Sequence, residues 1–202
     1  MKRALARVVD WGHELLSEVV HSGDLAVDLT AGTGQDTLAL YKMVGSTGQV
    51  VAFDIQSQAL LTTRDRLVAR GAQIRFQQQD VQPVQRESGV DLLKMSHAEM
   101  GSVVSAAPKG IIANLGYFPG GNKELITRPE STLPALEISC ALLAVGGRLA
   151  LVVYPGHPGG AEEGAAVTNF FTELDDSRFQ VLQMKVCNRP QAPFLFVVEK
   201  QS

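Results

Sequence analysis

A chain of 202 residues with 45% hydrophobic and 19% charged side chains has the apolar content of one globular domain spanning 1–202, which excludes a disordered or low-complexity chain. A net charge of −3 and a pI near 5.8 exclude a general electrostatic coat for nucleic acid, but not an enzyme that grips a few phosphates locally. No apolar run approaches the ~20 residues that span a bilayer, and no signal-peptide core follows Met1-Lys2-Arg3.

In chain order, Leu5, Val8, Val9, Leu15, Leu16, Val19 and Val20 form the apolar stripe of an amphipathic helix over 3–20. The turn residues His21-Ser22-Gly23-Asp24 end it. Leu25–Leu29 reads as a short buried strand, Leu38–Val44 as a helix, Gln49–Asp54 as the second strand and 57–70 as a helix. Between 71 and 95 either Gln73–Gln78 or Val90–Leu93 supplies the third strand, with a Gln-rich insertion between them. A helix is expected near Glu99–Ala106, a strand at Gly110–Asn114, a long loop to Arg128, and a helix over Ser131–Ala144 stopped by Gly146-Gly147. Arg148–Tyr154 reads as a strand, Glu162–Leu174 as a helix, and Phe179–Val186 with Phe194–Val198 as a hairpin with a short link. The runs at 148–153 and 194–198 have the composition of central strands covered on both faces. The fold class is therefore α/β. A mostly parallel, seven-stranded sheet with an antiparallel last strand and helices on both faces resembles the Rossmann-like class I methyltransferases. Cys140 and Cys187 both lie in apolar stretches and are expected to be buried thiols, which suits a reducing compartment. Cytoplasm fits, as does an organelle matrix or stroma after removal of a transit peptide.

Two segments carry chemistry. Asp28-Leu29-Thr30-Ala31-Gly32-Thr33-Gly34-Gln35-Asp36-Thr37 joins the first strand to its helix. Glycines there permit a sharp turn close to a ligand and aim helix amides at it. Asp54, at the end of the second strand, is placed to accept both ribose hydroxyls of an adenosine cofactor. A dinucleotide would need a smaller residue than Thr37 and would meet repulsion from Asp28 and Asp36, whereas the cationic S-adenosylmethionine suits those acids. The second segment is Asn114-Leu115-Gly116-Tyr117-Phe118-Pro119-Gly120-Gly121. It has the logic of the Asn-Pro-Pro-Tyr loop of amino-group methyltransferases: the Asn oxygen and the next carbonyl take the two N–H bonds of an amine, while an aromatic ring packs on a flat base. Such orientation matters because methyl transfer needs in-line attack.

These segments, with Asp54-Ile55-Gln56, His97, Thr127-Arg128-Pro129-Glu130-Ser131-Thr132 and Tyr154-Pro155-Gly156-His157-Pro158-Gly159-Gly160, resemble in order one family over Gly23–Lys200. It was once called putative rRNA methylases and is now understood as tRNA 5-(aminomethyl)-2-thiouridine methyltransferases. The resemblance implies methylation of the aminomethyl nitrogen on a wobble uridine, with a tRNA anticodon stem-loop as partner. It implies that Asp28, Ala31, Gly32, Gly34, Asp36, Thr37, Asp54, Gln56, His97 and Asn114 hold S-adenosylmethionine, and that Asn114 and Tyr117 face the amine. Tyr117 and Phe118 offer stacking surface, Tyr154 borders the substrate, and Lys123 and Arg128 are candidate phosphate contacts. Three roles are open to His157: taking a proton from the methylated nitrogen, binding a phosphate, or pinning its glycine-rich loop. The family commonly has Asn where Thr33 stands, and this chain carries extra residues between Asp54 and His97. Arg64, Arg66, Arg70 and Arg75 form a second candidate basic strip for phosphates, for which a solvated helix face is the favoured reading, and His13 and His21 receive no role. No metal-ligand constellation is visible, and amine methylation needs none. A monomer and a homodimer both fit the sequence. The rivals are an N-methyltransferase of a small-molecule or protein amine, a dinucleotide-dependent oxidoreductase, and a donor-binding module without catalysis.

Overall fold

Leu25–Asp28 (β1) is buried along its whole length and apolar up to Asp28, as suits a strand covered on both faces. Its alternating side chains feed two cores. Leu25 and Val27 join Val51, Phe53, Leu136, Cys140, Val167 and Phe171 on one face, while Ala26 joins Leu16, Leu38, Val50, Ala52 and Leu60 on the other. The computed structural model describes residues 7–121 and 125–202. Among them α1 is Val8–Ser17, α2 Gln35–Val44, β2 Gln49–Asp54, α3 Ser57–Val68, β3 Ile74–Gln77, β4 Gly89–Lys94 and β5 Gly110–Asn114. The chain continues through α4 Pro129–Leu142, β6 Arg148–Val153, α5 Gly160–Thr172, β7 Phe179–Met184 and β8 Phe194–Lys200. Helices α1, α2 and α3 cover one face of the sheet, and α4 and α5 the other.

The eight strands run in the order β3-β4-β2-β1-β5-β6-β8-β7. Every pairing is parallel except the two made by β8, so the last strand is antiparallel as expected. From β1 the chain builds outward through β2 to β4 and β3, then returns to place β5 on the other side of β1. That reversal leaves a crevice beyond the carboxyl ends of β1 and β5, where open α/β sheets bind ligands. The turn after β1 and the Asn114 loop border it.

The strand count is eight rather than seven, because both candidate segments between 71 and 95 are strands. β4 pairs with β2, while β3 lies outside it as a half-buried edge. The Gln-rich connection is woven in, with Gln49 Nε2 donating to the Gln85 carbonyl (2.8 Å) and the Val84 amide to the Val103 carbonyl (2.9 Å). Arg75 clamps buried Asp91 through two bonds of 2.6 and 2.8 Å, which removes it from any basic strip on α3. The helix expected near 99–106 is a 3₁₀ turn over His97–Ser102. The β7–β8 link runs over 185–193, longer than a tight hairpin. It carries Cys187, which is exposed rather than buried because the link lies off the sheet; Cys140, inside α4, is buried as expected. The part of the first helix placed before residue 7 lies outside the described residues. Among the described residues no helix is long and apolar enough to cross a membrane.

Candidate active site

The turn between β1 and α2 is tied to β2 by two backbone donors. The Ala31 amide reaches the Phe53 carbonyl (2.8 Å) and the Gly32 amide reaches Asp54 Oδ2 (3.0 Å). Gly34 sits at φ +74°, and a Cβ there would lie 2.8 Å from Thr63 Cα, so glycine is needed for packing against α3. Asp28 lies fully buried beneath the turn, accepting from the Thr30 amide (3.0 Å) and the Thr37 hydroxyl (2.6 Å). Burial, with the negative charges of Asp36 and Asp54 against only two donors, raises its carboxyl to about 7. Asp54 Oδ1 takes the Gln56 amide (2.9 Å), and burial raises its pKa too. Each of its oxygens keeps a second lone pair for a ligand hydroxyl.

Asp36 stands in the first turn of α2, where the helix dipole favours a carboxylate. One of its oxygens lies 2.5 Å from His13 Nε2, and the other accepts from Asn114 Nδ2. A carboxylate only accepts, so the Asn114 amide is oriented with its nitrogen inward. Asn114 Oδ1 is then buried with no hydrogen-bond partner among the described residues. The Asn114 backbone amide is held by Thr30 Oγ1 (2.8 Å), joining the two loops across the switch point.

His97 Nδ1 meets the Leu29 carbonyl at 3.1 Å and His157 Nδ1 the Pro158 carbonyl at 2.9 Å. Facing a carbonyl, each Nδ1 carries the proton, which leaves Nε2 as a lone-pair acceptor. Both Nε2 atoms are buried and unpartnered among the described residues. Burial lowers the His97 pKa, which favours the neutral ring. Gly116, at φ +146°, carries the chain past His157 into the Tyr117–Phe118 turn. Tyr117 meets the His157 ring edge-on at 6.1 Å and is 44% exposed, whereas Phe118 is 9% exposed and packs into its own loop. The loop is clamped from α5: the Gly116 amide donates to Thr127 Oγ1 (2.7 Å), which donates to Glu163 Oε2 (2.8 Å), while the Thr132 hydroxyl donates to Glu163 Oε1 (2.7 Å). Glu163 is 1% exposed, and burial raises its pKa.

These groups surround one cavity of about 610 Å³. From the predicted set, Ala31, Gly32 and Asp36 line it from the first turn, Asp54 from the end of β2, Gln56 from just before α3, and His97 from the 3₁₀ turn. Asn114, Tyr117 and Phe118 line it from the loop after β5, and Tyr154 and His157 from the loop after β6. Asp28, Gly34 and Thr37 do not reach the cavity and support its wall from below. Arg128 is exposed outside it, at the start of α4. Lys123 lies outside the described residues. Sequence reasoning missed Val9 and His13 on α1, Glu163 on α5, and Gln191 and Pro193 from the β7–β8 link. His13 and Glu163 each occupy a helix with no local pattern to mark them. Among the described residues no cluster of His, Cys, Asp and Glu could hold a metal ion.

A doubly wound sheet whose switch-point cavity joins a glycine turn, an acid after β2 and an asparagine after β5 defines a class I S-adenosylmethionine-dependent methyltransferase. The donor set fits that cofactor: carboxylates for its cationic and hydroxyl groups, and orphan acceptor atoms in a closed wall. A family model described as "Putative rRNA methylase" matches residues 50–200. The chloroplastic tRNA (mnm(5)s(2)U34)-methyltransferase of Arabidopsis thaliana is 37% identical over 96% of this chain and 70% of the relative. Among solved structures, one described as a "putative rRNA-methylase" of Clostridium thermocellum superposes with a TM-score of 0.87 and 31% identity over 99% of this chain and 100% of that one. A Streptococcus mutans protein described as "a putative methyltransferase", in complex with SAH, superposes at 0.81 with 33% identity over 99% of each chain. The chain belongs to this rRNA-methylase family, and S-adenosylmethionine is its cofactor.

Proposed function

We propose that the protein methylates a primary amine borne by a tRNA base: the aminomethyl nitrogen of a modified wobble uridine, 5-aminomethyl-2-thiouridine. The observation that carries this reading is the Asn114 amide, locked by Asp36 with its oxygen bare and buried inside the cavity. The Arabidopsis relative is named for the tRNA nucleoside mnm(5)s(2)U34.

When bound, S-adenosylmethionine supplies a methyl group activated by its positive sulfur. Asp54 accepts the ribose hydroxyls, Asp36 faces the cationic end, and His97 Nε2 accepts from the adenine or methionine portion. Asn114 Oδ1 takes one N–H of the substrate amine and the adjoining backbone carbonyl the other, leaving the nitrogen lone pair free for in-line attack. The amine must arrive neutral. An ordinary alkylammonium has a pKa near ~10.4 and is about one part in 10³ neutral at pH 7, so the desolvating cavity must lower that pKa. Methylation then leaves one surplus proton on nitrogen, and His157 Nε2 has the lone pair to receive it. Tyr117 presents its exposed face for an unstacked base, and Arg128 is available to a backbone phosphate, which local contacts allow despite the net charge of −3.

The test is nucleoside mass spectrometry after incubation with donor and tRNA carrying the aminomethyl uridine. The expected result is a gain of one methylene on that nucleoside, lost in Asn114→Ala. Donor binding without that gain, or equal transfer to free amines and peptides, would overturn the substrate assignment.

A further inference from the structure

We propose that His13 is a positioning residue: acting through Asp36, it sets which way the Asn114 amide faces. The kinetic consequence rests on the amine-methylating reading above, whereas the relay itself is a property of the free protein.

The two oxygens of Asp36 are divided between two partners from distant parts of the chain. His13 Nε2, on α1, lies 2.5 Å from Oδ1, and Asn114 Nδ2, after β5, donates to Oδ2. The carboxylate is nearly enclosed, at 11% side-chain exposure, and His13 is at 25%. With both oxygens held, the carboxylate plane is fixed, and Asn114 has one orientation that satisfies its N–H groups. A flipped amide would set its oxygen against the Asp36 carboxylate, acceptor against acceptor, and present its N–H groups to the substrate amine, which needs acceptors. Without His13 the carboxylate keeps a single side-chain donor and is free to turn. Tyr154, whose hydroxyl is pushed up in pKa by burial and by the Asp36 charge, lines the same cavity as the carboxylate. The same helix places Val9 in the cavity wall, so α1 is part of the active site and not only a cover for the sheet.

Two replacements separate the relay from simple packing. His13→Phe fills the volume without a polar hydrogen, and His13→Gln keeps an N–H donor. In ¹⁵N-labelled protein the Asn114 side-chain amide signal is assigned by its loss in Asn114→Ala. A strongly downfield amide proton is expected in wild type and His13→Gln, and its collapse toward ordinary shifts in His13→Phe. An unchanged signal in folded His13→Phe overturns the proposal. In kinetics, His13→Phe is expected to lower kcat about tenfold or more, with KM for tRNA and donor affinity held within about twofold. His13→Gln should restore most of the rate, and His13→Phe should cost nothing further in an Asn114→Ala background. Equal losses in both backgrounds, or a loss seen only in donor affinity, overturn it. If wild-type protein binds donor but leaves the tRNA unmodified, the substrate reading fails while the amide signal still decides the relay.

Discussion

Replacing Asp28 by Asn should make folding stability less dependent on pH. Burial and the neighbouring negative charges raise the Asp28 carboxyl from 3.8 to about 7 in the folded protein. A folded-state pKa above the unfolded one means that the folded protein binds the extra proton. Stability from this group is therefore full below about pH 4 and is lost progressively as pH rises toward 7. The displacement is about three units at ~1.4 kcal/mol each, so the full loss is about 4 kcal/mol, of which about 2–3 kcal/mol falls between pH 5 and pH 8. Asn fits the same space: its oxygen can accept from the Thr30 amide, and its nitrogen can donate to the Thr37 hydroxyl oxygen. It carries no charge to desolvate. Urea unfolding followed through Trp11, the single tryptophan, should show Asp28→Asn gaining on wild type by that amount from pH 5 to pH 8. Comparing the two proteins cancels the similar, smaller trends of Asp54 and Glu163, whose pKa values burial also raises. Parallel stability curves would show that Asp28 is charged at neutral pH and that the buried-carboxyl reasoning is wrong.

Tyr117→Ala should raise KM for tRNA about tenfold or more, the scale of one lost base–aromatic stack, and leave donor affinity unchanged by calorimetry; an unaltered KM would remove Tyr117 from base recognition. Glu163→Ala strips the acceptor from two threonine hydroxyls and should cost about 2–4 kcal/mol in chemical unfolding, with Glu163→Gln losing clearly less; equal losses would mean that hydrogen bonding is not what holds the Asn114 loop. Gly34→Ala puts a Cβ against the α3 backbone at an unfavourable φ and should lower stability by about 2 kcal/mol or more, visible as a reduced Tm; an unchanged Tm would show that the turn can shift away from Thr63.

Strands covered on both faces were the easiest elements to read, because burial demands continuous apolar runs: β1, β2, β5, β6 and β8 all stand where those runs stand. The edge was harder. β3 is half-buried and pairs on one side only, so its composition is mixed and in the sequence it competes with its neighbour β4 for one place in the sheet. Since parallel neighbours need a crossover that is usually helical, the coil at 78–88 concealed that both segments could be strands. The exposed Cys187 belongs with these misses, because an apolar sequence neighbourhood does not specify which side of the sheet edge a link leaves from.

The site shows a finer division. In the sequence Asp28 and Asp36 flank a glycine turn and both suit a cationic ligand, while Asp54, after the second strand, suits ribose hydroxyls. Folding sorts them by their donors. Asp28 is closed off by an amide and a hydroxyl beneath the turn, and Asp54 holds the turn through the Gly32 amide and also accepts from the Gln56 amide while still facing the cavity. Asp36 is shared between His13 and Asn114, residues that only the packing of α1 and the placing of β5 beside β1 bring to it. Local chemistry therefore points to a charged ligand here. It could not say which acid touches the ligand and which holds the asparagine, because that depends on partners lying 23 and 78 positions away along the chain.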